Sequence, residues 1–350
     1  MNIWIDLLTP KQVNFFAPLV RRLSQRGTSV VVTTREYREV NQLLRKREIS
    51  AIKIGRHGGG SLKAKLVSSV ERARSLADLP SLSGCQKALS FSSPEAARVA
   101  YGLSIPHFCV SDSPHAEAVS RLTIPLSKML FTPRVIPFKA WRNYGMDRAR
   151  IFRYDAIDPV AWLRDFRPDP GVLDELGLDS SRPILTIRSE ESQASYMISH
   201  SSDRTLSFSL APALARELPE SQVVLIPRYD LAVSTKRQVG RRVIVPSSAI
   251  DATSLLYYSR VFLGGGGTMT AEAALLGVPS ISFYPCAPTY VECYLVRLGL
   301  VSRVKDVEAI VKRCNHILKD PRCAEALRAK SQRIMSRMED PTAVIERHLN

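Results

Sequence analysis

A chain of 350 residues, 45% of them hydrophobic, can bury a sizeable core, and by ordinary domain sizes it suggests two domains. No apolar run approaches the ~18 to 20 residues that span a bilayer, and the opening MNIWIDLLTPK has neither a basic leader nor a cleavage signal, so a membrane span and a secretory leader are disfavoured and a cytoplasmic location is expected. The formal charge of +16 is concentrated early, with fifteen Lys and Arg against five acids in residues 1–75, which calls for an anionic partner or strongly solvated helix faces.

In chain order, Asn2 to Leu8 reads as a buried strand and Val13 to Arg26 as an amphipathic helix ended by Gly27. Ser29 to Thr34 is a second strand, Glu36 to Arg47 a second helix, and Ala51 to Ile54 a third strand. A helix from Ser61 to Leu79 follows, then a strand (Ala88 to Phe91), a helix (Pro94 to Tyr101) and a strand (His107 to Val110). Alternation at this spacing predicts a parallel sheet covered on both faces, a doubly wound first domain over 1–155. Over 156–182 the pattern lapses into a Pro- and Asp-rich stretch, read as a linker. It resumes over 183–350 with strands at Ile184 to Ile187, Val223 to Ile226, Val243 to Val245, Val261 to Leu263 and Ile281 to Tyr284. Helices are expected at Phe208 to Glu217, Asp251 to Tyr258, after Gly267, at Cys323 to Met338 and at Ala343 to His348. The six cysteines are scattered without a C-x-x-C pair, so they read as reduced thiols and not as a disulfide framework or zinc site.

The stretch LGGGGTMTAEAA places Gly264 to Gly267 between a strand and a helix that begins near Thr268. Backbone N–H groups at such a helix start lack partners and no Cβ stands in the way, which suits a phosphate. The run is neither G-x-G-x-x-G nor a Walker A loop, since no Lys-Ser or Lys-Thr follows. Glu272 is one position too far along to close a capping box on Thr268. It is either a carboxylate for the two hydroxyls of a ribose or a dipole-complementing surface acid.

Three further clusters lie where strands end. Thr9, Lys11 and Gln12 follow the first strand, at the usual ligand edge of such a sheet, or form an ordinary turn. His57, Gly58, Gly59, Gly60 and Ser61 precede a helix, with Lys63 and Lys65 near, as an anion-binding turn or a surface loop. Asp112 and His115, in SDSPH after HFCV, offer a carboxylate and an imidazole within four residues, or an Asx turn. The basic residues show no zinc finger or aromatic stacking platform, so nucleic acid is disfavoured as the partner.

The segment SRVFLGGGGTMTAEAALLGVPSISFYP resembles the donor-binding region of GT-B proteins, the group holding the undecaprenyl-diphospho-muramoylpentapeptide glycosyltransferase and the non-hydrolysing UDP-N-acetylglucosamine 2-epimerases. More closely, IDLLTPKQVNFF, GRHGGGSLKAKL, FCVSDSPHAEA and LVRLGLV resemble the DUF354 family, from Ile3 to about Val311. The resemblance implies a GT-B α/β fold, two Rossmann-like parallel-sheet domains facing each other across a cleft. It implies a UDP-sugar, with a UDP-N-acetylhexosamine as the expected one, as substrate in place of a cofactor, and no tightly bound metal. Gly265, Gly266, Gly267 and Thr268 would hold the diphosphate and Glu272 the ribose, with Arg188 and Arg228 as cations for departing UDP. The family carries a basic residue where this chain has Ala271, so no phosphate-binding arginine is expected there. The basic first domain would take the acceptor.

Transfer to an acceptor hydroxyl needs a base, and His115, His57 and Asp112 are the candidates. Epimerisation at C2 needs several acids, and Ser92, Ser93 and Pro94 stand where an epimerase-like segment would place one, so glycosyl transfer is the preferred expectation. A UDP-sugar-binding module without turnover is the third. Weak, salt-sensitive association of the first domain with anionic membrane or a lipid-linked acceptor is also expected. For the helix Val13 to Arg26 itself, packing on the sheet is preferred to lying on lipid.

Overall fold

Two all-parallel sheets organise the computed structural model, which describes residues 1–190, 206–228, 239–240 and 242–349. The first has the order β3-β2-β1-β4-β5-β6-β7, from β1 (Asn2–Leu7), β2 (Ser29–Glu36), β3 (Ile52–Arg56), β4 (Lys87–Ser90), β5 (His107–Val110), β6 (Met129–Pro133) and β7 (Ile151–Tyr154). The second has the order β10-β9-β8-β11-β12-β13, from β8 (Ile184–Arg188), β9 (Gln222–Ile226), β10 (Val243–Ile244), β11 (Val261–Gly264), β12 (Ser280–Ser282) and β13 (Val301–Arg303). Central strands are mostly apolar because helices cover both faces: Ile3, Trp4, Ile5 and Leu7 of β1 are all fully buried. Strand order reverses between β1 and β4 and again between β8 and β11, and carboxyl ends diverge at such points, which opens room for ligands.

One buried polar centre stands inside the first sheet. Asp6 accepts two bonds from the Arg72 guanidinium (2.6 and 3.1 Å), one from Ser93 (2.7 Å) and one from Thr33 (2.6 Å), whose oxygen in turn accepts from the Trp4 indole. Burial alone would raise the Asp6 carboxyl, and Arg72 outweighs it, holding the group below its ordinary value. Helix Leu62–Ala77 is thereby tied to β1 through Arg72.

The chain divides into a first unit of Met1–Trp162 with the terminal segment Met338–Asn350, and a second within Leu163 to Arg337. Two expectations about organisation change here. The stretch 156–182 contains helices Val160–Leu163 and Gly171–Leu176. Ile157 and Val160 are buried in it, and Val172, Leu173 and Leu178 pack into a core cluster of the second unit. The last helix, Pro341–Leu349, grouped by chain order with 183–350, packs instead on helix Pro10–Gln25 of the first unit. Its buried Ile345 and Leu349 and the ion pairs of Arg22 with Asp340 (3.2 Å) and Glu346 (2.8 Å) account for that.

Helix Pro10–Gln25 starts three residues earlier than its apolar spacing predicted, with Pro10 in its first turn. Phe15, Phe16, Leu19 and Leu23 are buried, so this helix packs on its sheet. Strands β6, β7 and β13 have no counterpart among the strands read from sequence. Among the cysteines, Cys85, Cys109 and Cys314 are buried and all six are free thiols. No described helix is long and apolar enough to cross a membrane.

Candidate functional site

In the second unit, β11 delivers the glycine run to the switch point. Gly264 ends β11 and Gly265 is still held at the sheet's edge: the Gly264 carbonyl accepts from Phe283 N (2.9 Å) and Gly265 N donates to the Arg188 carbonyl (3.1 Å). Gly266 and Gly267 then turn with φ of +97° and +93°, a region that disfavours any Cβ, and Gly267 caps helix Thr268–Leu275. A Cβ would meet Glu190 at 2.6 Å if added to Gly265, the Tyr284 ring at 2.5 Å if added to Gly266, and the Arg228 guanidinium at 3.1 Å if added to Gly267. The glycines thus let Glu190, Tyr284 and Arg228 approach the loop backbone. No side chain caps this helix start, and a guanidinium lies beside it.

The two predicted arginines are fixed from behind. Arg188 Nη1 donates to the Pro227 carbonyl (3.0 Å), and Arg228 N donates to Ser189 Oγ (2.9 Å). Glu190 accepts from the backbone N (3.2 Å) and hydroxyl (2.6 Å) of Ser207, which orders the start of helix Leu206–Glu217. Glu272 is 5% exposed, and its carboxylate accepts from Thr253 Oγ1 (3.2 Å) on helix Ala252–Tyr258. Of the two readings of Glu272, the solvated surface acid does not hold, since the carboxylate is buried and braces two helices.

In the first unit, the turns after β1 and β5 converge on one ammonium. Lys11 Nζ lies 2.6 Å from Asp112 Oδ2 and 2.7 Å from Asp158 Oδ2, and 4.2 Å above the Phe91 ring centroid. Tyr154 donates to the other Asp158 oxygen (2.6 Å), and Ser113 donates to Asp112 (2.8 Å). Burial would lower Lys11, and the two carboxylates outweigh it and raise it. The carboxylates differ. Asp158 is buried, the Asp112 charge faces it, and burial pushes its carboxyl up to about 7 despite Lys11. Asp112 is partly exposed, and Lys11 and Ser113 override burial to hold it below its ordinary value. Loss of hydration holds the His115 imidazole below its ordinary value, with Asp112 opposing and Lys11 reinforcing the shift. Lys11, Asp112 and His115 therefore interact electrostatically. Asp158, Tyr154 and Phe91 complete the cluster, and sequence reasoning missed them. The signal for Asp158 was present in DAIDPVAWL, where an acid sits amid residues too apolar for a linker.

The remaining first-unit candidates serve the backbone. Gln12 is buried, with Oε1 accepting from Leu8 N (2.6 Å) and Nε2 donating to the Phe91 carbonyl (3.0 Å), so it joins the β1 and β4 turns. Thr9 is the N-cap of helix Pro10–Gln25 through its carbonyl, without a side-chain cap bond. Ser61 caps helix Leu62–Ala77 by accepting from Ala64 N (3.4 Å). Gly59 N donates to His57 Nδ1 (3.0 Å), and the His57 ring stacks with Tyr37 at 6.4 Å. A Cβ on Gly58 would meet Lys65 Cα at 2.6 Å. The His57–Ser61 turn is thus closed around its own helix start.

Comparison with known proteins agrees with this architecture. The profile of the family described as protein of unknown function DUF354 matches residues 1–348. The chain belongs to the DUF354 family. A relative in Methanocaldococcus jannaschii, the uncharacterized protein MJ0665, is 30% identical over 317 residues, 89% of this chain and 90% of the relative. Among solved structures, the UDP-GlcNAc 2-epimerase of Neisseria meningitidis bound to UDP-GlcNAc superposes with a TM-score of 0.73 at 16% identity, over 100% of this chain and 99% of that one. The glycotransferase of kitacinnamycin superposes with a TM-score of 0.61 at 17% identity, over 100% and 99%. This DUF354 protein therefore has the GT-B type of fold, shared by glycosyltransferases and sugar-nucleotide epimerases.

Proposed function

We propose that this protein is a UDP-sugar-dependent enzyme that transfers the sugar, a UDP-N-acetylhexosamine being the expected donor, to an acceptor hydroxyl. The observation that carries the reading is the glycine loop after β11, where an uncapped helix start and the Arg228 guanidinium come together as a diphosphate site. The GT-B neighbours, one of them holding UDP-GlcNAc, support it. The acceptor oxygen attacks the anomeric carbon, the bond from that carbon to the diphosphate oxygen breaks, and the acceptor proton passes to a base. His115 is the preferred base because its imidazole, held below its ordinary value, is neutral at pH 7, whereas Asp112 is partly exposed but weakened as a base by its ion pair with Lys11. Helix Thr268–Leu275, Arg228 and Arg188 stabilise the charge that builds on departing UDP. Ribose recognition by Glu272 requires its bond from Thr253 to be exchanged for the ribose hydroxyls.

Epimerisation at C2 is a second reading, favoured by one observation: Asp112 and Asp158 stand together on the Lys11 ammonium, at 2.6 and 2.7 Å, which places two carboxyl groups in one cluster. Two measurements test these readings. Calorimetry is expected to show binding of UDP and UDP-N-acetylglucosamine, weakened about tenfold or more in Arg228→Ala, the range of charge-assisted hydrogen bonds. Failure of the wild type to bind either nucleotide overturns the proposal. Proton NMR in heavy water then separates the reactions, since deuterium at the sugar C2 assigns epimerisation.

A further inference from the structure

Helix Leu62–Ala77 has two unlike sides. Arg72 and Leu76 are buried, and through that side the helix packs on β3 and on helix Pro94–Gly102. Leu62, Leu66 and Val70, four residues apart, are 61%, 66% and 61% exposed, and Val67 beside them is 45% exposed. At about 100° per residue, Lys63 and Arg74 fall between Val70 and Val67, while Glu71 lies at the far border of the stripe. A large apolar stripe with two cations set into it, on the outside of a packed helix, is not explained by the core of this unit.

The neighbouring helices repeat the pattern. Helix Pro94–Gly102 carries exposed Tyr101 and Arg98 and is followed by exposed Leu103, and helix Glu117–Thr123, which packs on it, exposes Leu122, its Arg121 being paired with Glu117 (2.8 Å). This is the unit in which residues 1–75 hold ten more cations than acids.

We propose that the outer side of helix Leu62–Ala77 is a docking surface for an anionic lipid bilayer, with Leu62, Leu66 and Val70 entering the interface and Lys63 and Arg74 meeting the headgroups. Apolar burial and attraction to anionic lipid are the two terms that hold an amphipathic helix on a membrane, and this surface supplies both. Charge decides against a second copy of the chain, because two such faces would set like charges together. The inference is independent of the nucleotide site, and its test uses no nucleotide.

The test is sedimentation of the full chain with vesicles of phosphatidylcholine, with and without phosphatidylglycerol, at low and high salt. The protein is expected to sediment with the anionic vesicles at low salt and to be released by high salt. Leu66→Gln with Val70→Gln should weaken partitioning about tenfold, and Lys63→Ser with Arg74→Ser should weaken it on anionic vesicles only, each with an unchanged circular dichroism spectrum. Equal recovery in the supernatant with both vesicle types overturns the proposal. So does unchanged partitioning of the Leu66→Gln, Val70→Gln protein, or a dimer in sedimentation velocity that this variant dissociates.

Discussion

His107 is a histidine that its surroundings keep neutral. It is buried on β5, its ring nitrogens 2.9 Å from Ser90 Oγ and 2.8 Å from Ser127 Oγ, and burial pushes the imidazole down to about 4 from an ordinary 6.5. A value depressed in the folded state gives stability that is full above 6.5 and lost as pH falls through about 4, because only the unfolded chain takes up the proton in that window. The contribution is up to about 3 kcal/mol. Urea unfolding at pH 7 and pH 4.5 should therefore show the stability difference between wild type and His107→Gln shrinking on acidification, and a constant difference contradicts the assignment. His107 and the Lys11 cluster also show what a linear reading misses at this scale. Asp112 and His115 were legible because they lie three residues apart at a strand end, and Lys11 because it follows the first strand. That Asp158 pairs with Lys11, and Tyr154 with Asp158, was not, since β7 brings them there from the far edge of the sheet.

Among the elements, the β11 loop was the most legible, because four glycines ahead of a helix-forming run have few other uses. What each glycine is for was not legible, because it depends on Glu190, Tyr284 and Arg228, brought in from other strand ends. The short strands β6, β7 and β13 escaped for a different reason. They are short and mixed in polarity, MLFTP, IFRY and VSR, so they leave no clear apolar run. The loop itself makes a differential prediction. Alanine at Gly266 meets both a φ of +97° and the Tyr284 ring at 2.5 Å, so it should cost about 1–3 kcal/mol in the unfolding of the second unit. Gly267→Ala keeps the backbone strain of a φ of +93° but meets only the movable end of Arg228 at 3.1 Å in place of a ring. It should therefore also destabilise, somewhat less than Gly266→Ala, and disturb nucleotide affinity more. Denaturation midpoints and calorimetry on the two variants check the order, and the reverse order rejects this account of the loop.

At the scale of the molecule, the described residues leave the first unit after Trp162 and rejoin it at Met338. Alternation of strands and helices was enough to predict two parallel sheets, because local periodicity carries that information. It could not predict the return, which rests on pairings across more than three hundred residues. Arg22 on helix Pro10–Gln25 binds Glu346 (2.8 Å), Asp340 (3.2 Å) and Thr342 Oγ1 (2.7 Å), and Arg26 binds Glu346 (2.8 Å). The His348 ring packs on Phe131 and Phe152 of the strands β6 and β7, at 5.3 and 4.1 Å between centroids, and the Leu349 carbonyl accepts from Lys87. Arg22→Ala strips a guanidinium from the buried Glu346 carboxylate and should lower the stability of the first unit by about 1–3 kcal/mol, in the range of hydrogen bonds to charged groups. Deleting 338–350 also exposes the apolar side chains that Ile345 and Leu349 cover, so it should cost more. Hydrogen exchange locates the damage: if the last helix belongs to the first unit, the deletion speeds exchange in β1, β6 and β7 and leaves β8, β9 and β11 protected, whereas loss of protection confined to β8–β13 would return that helix to the second unit.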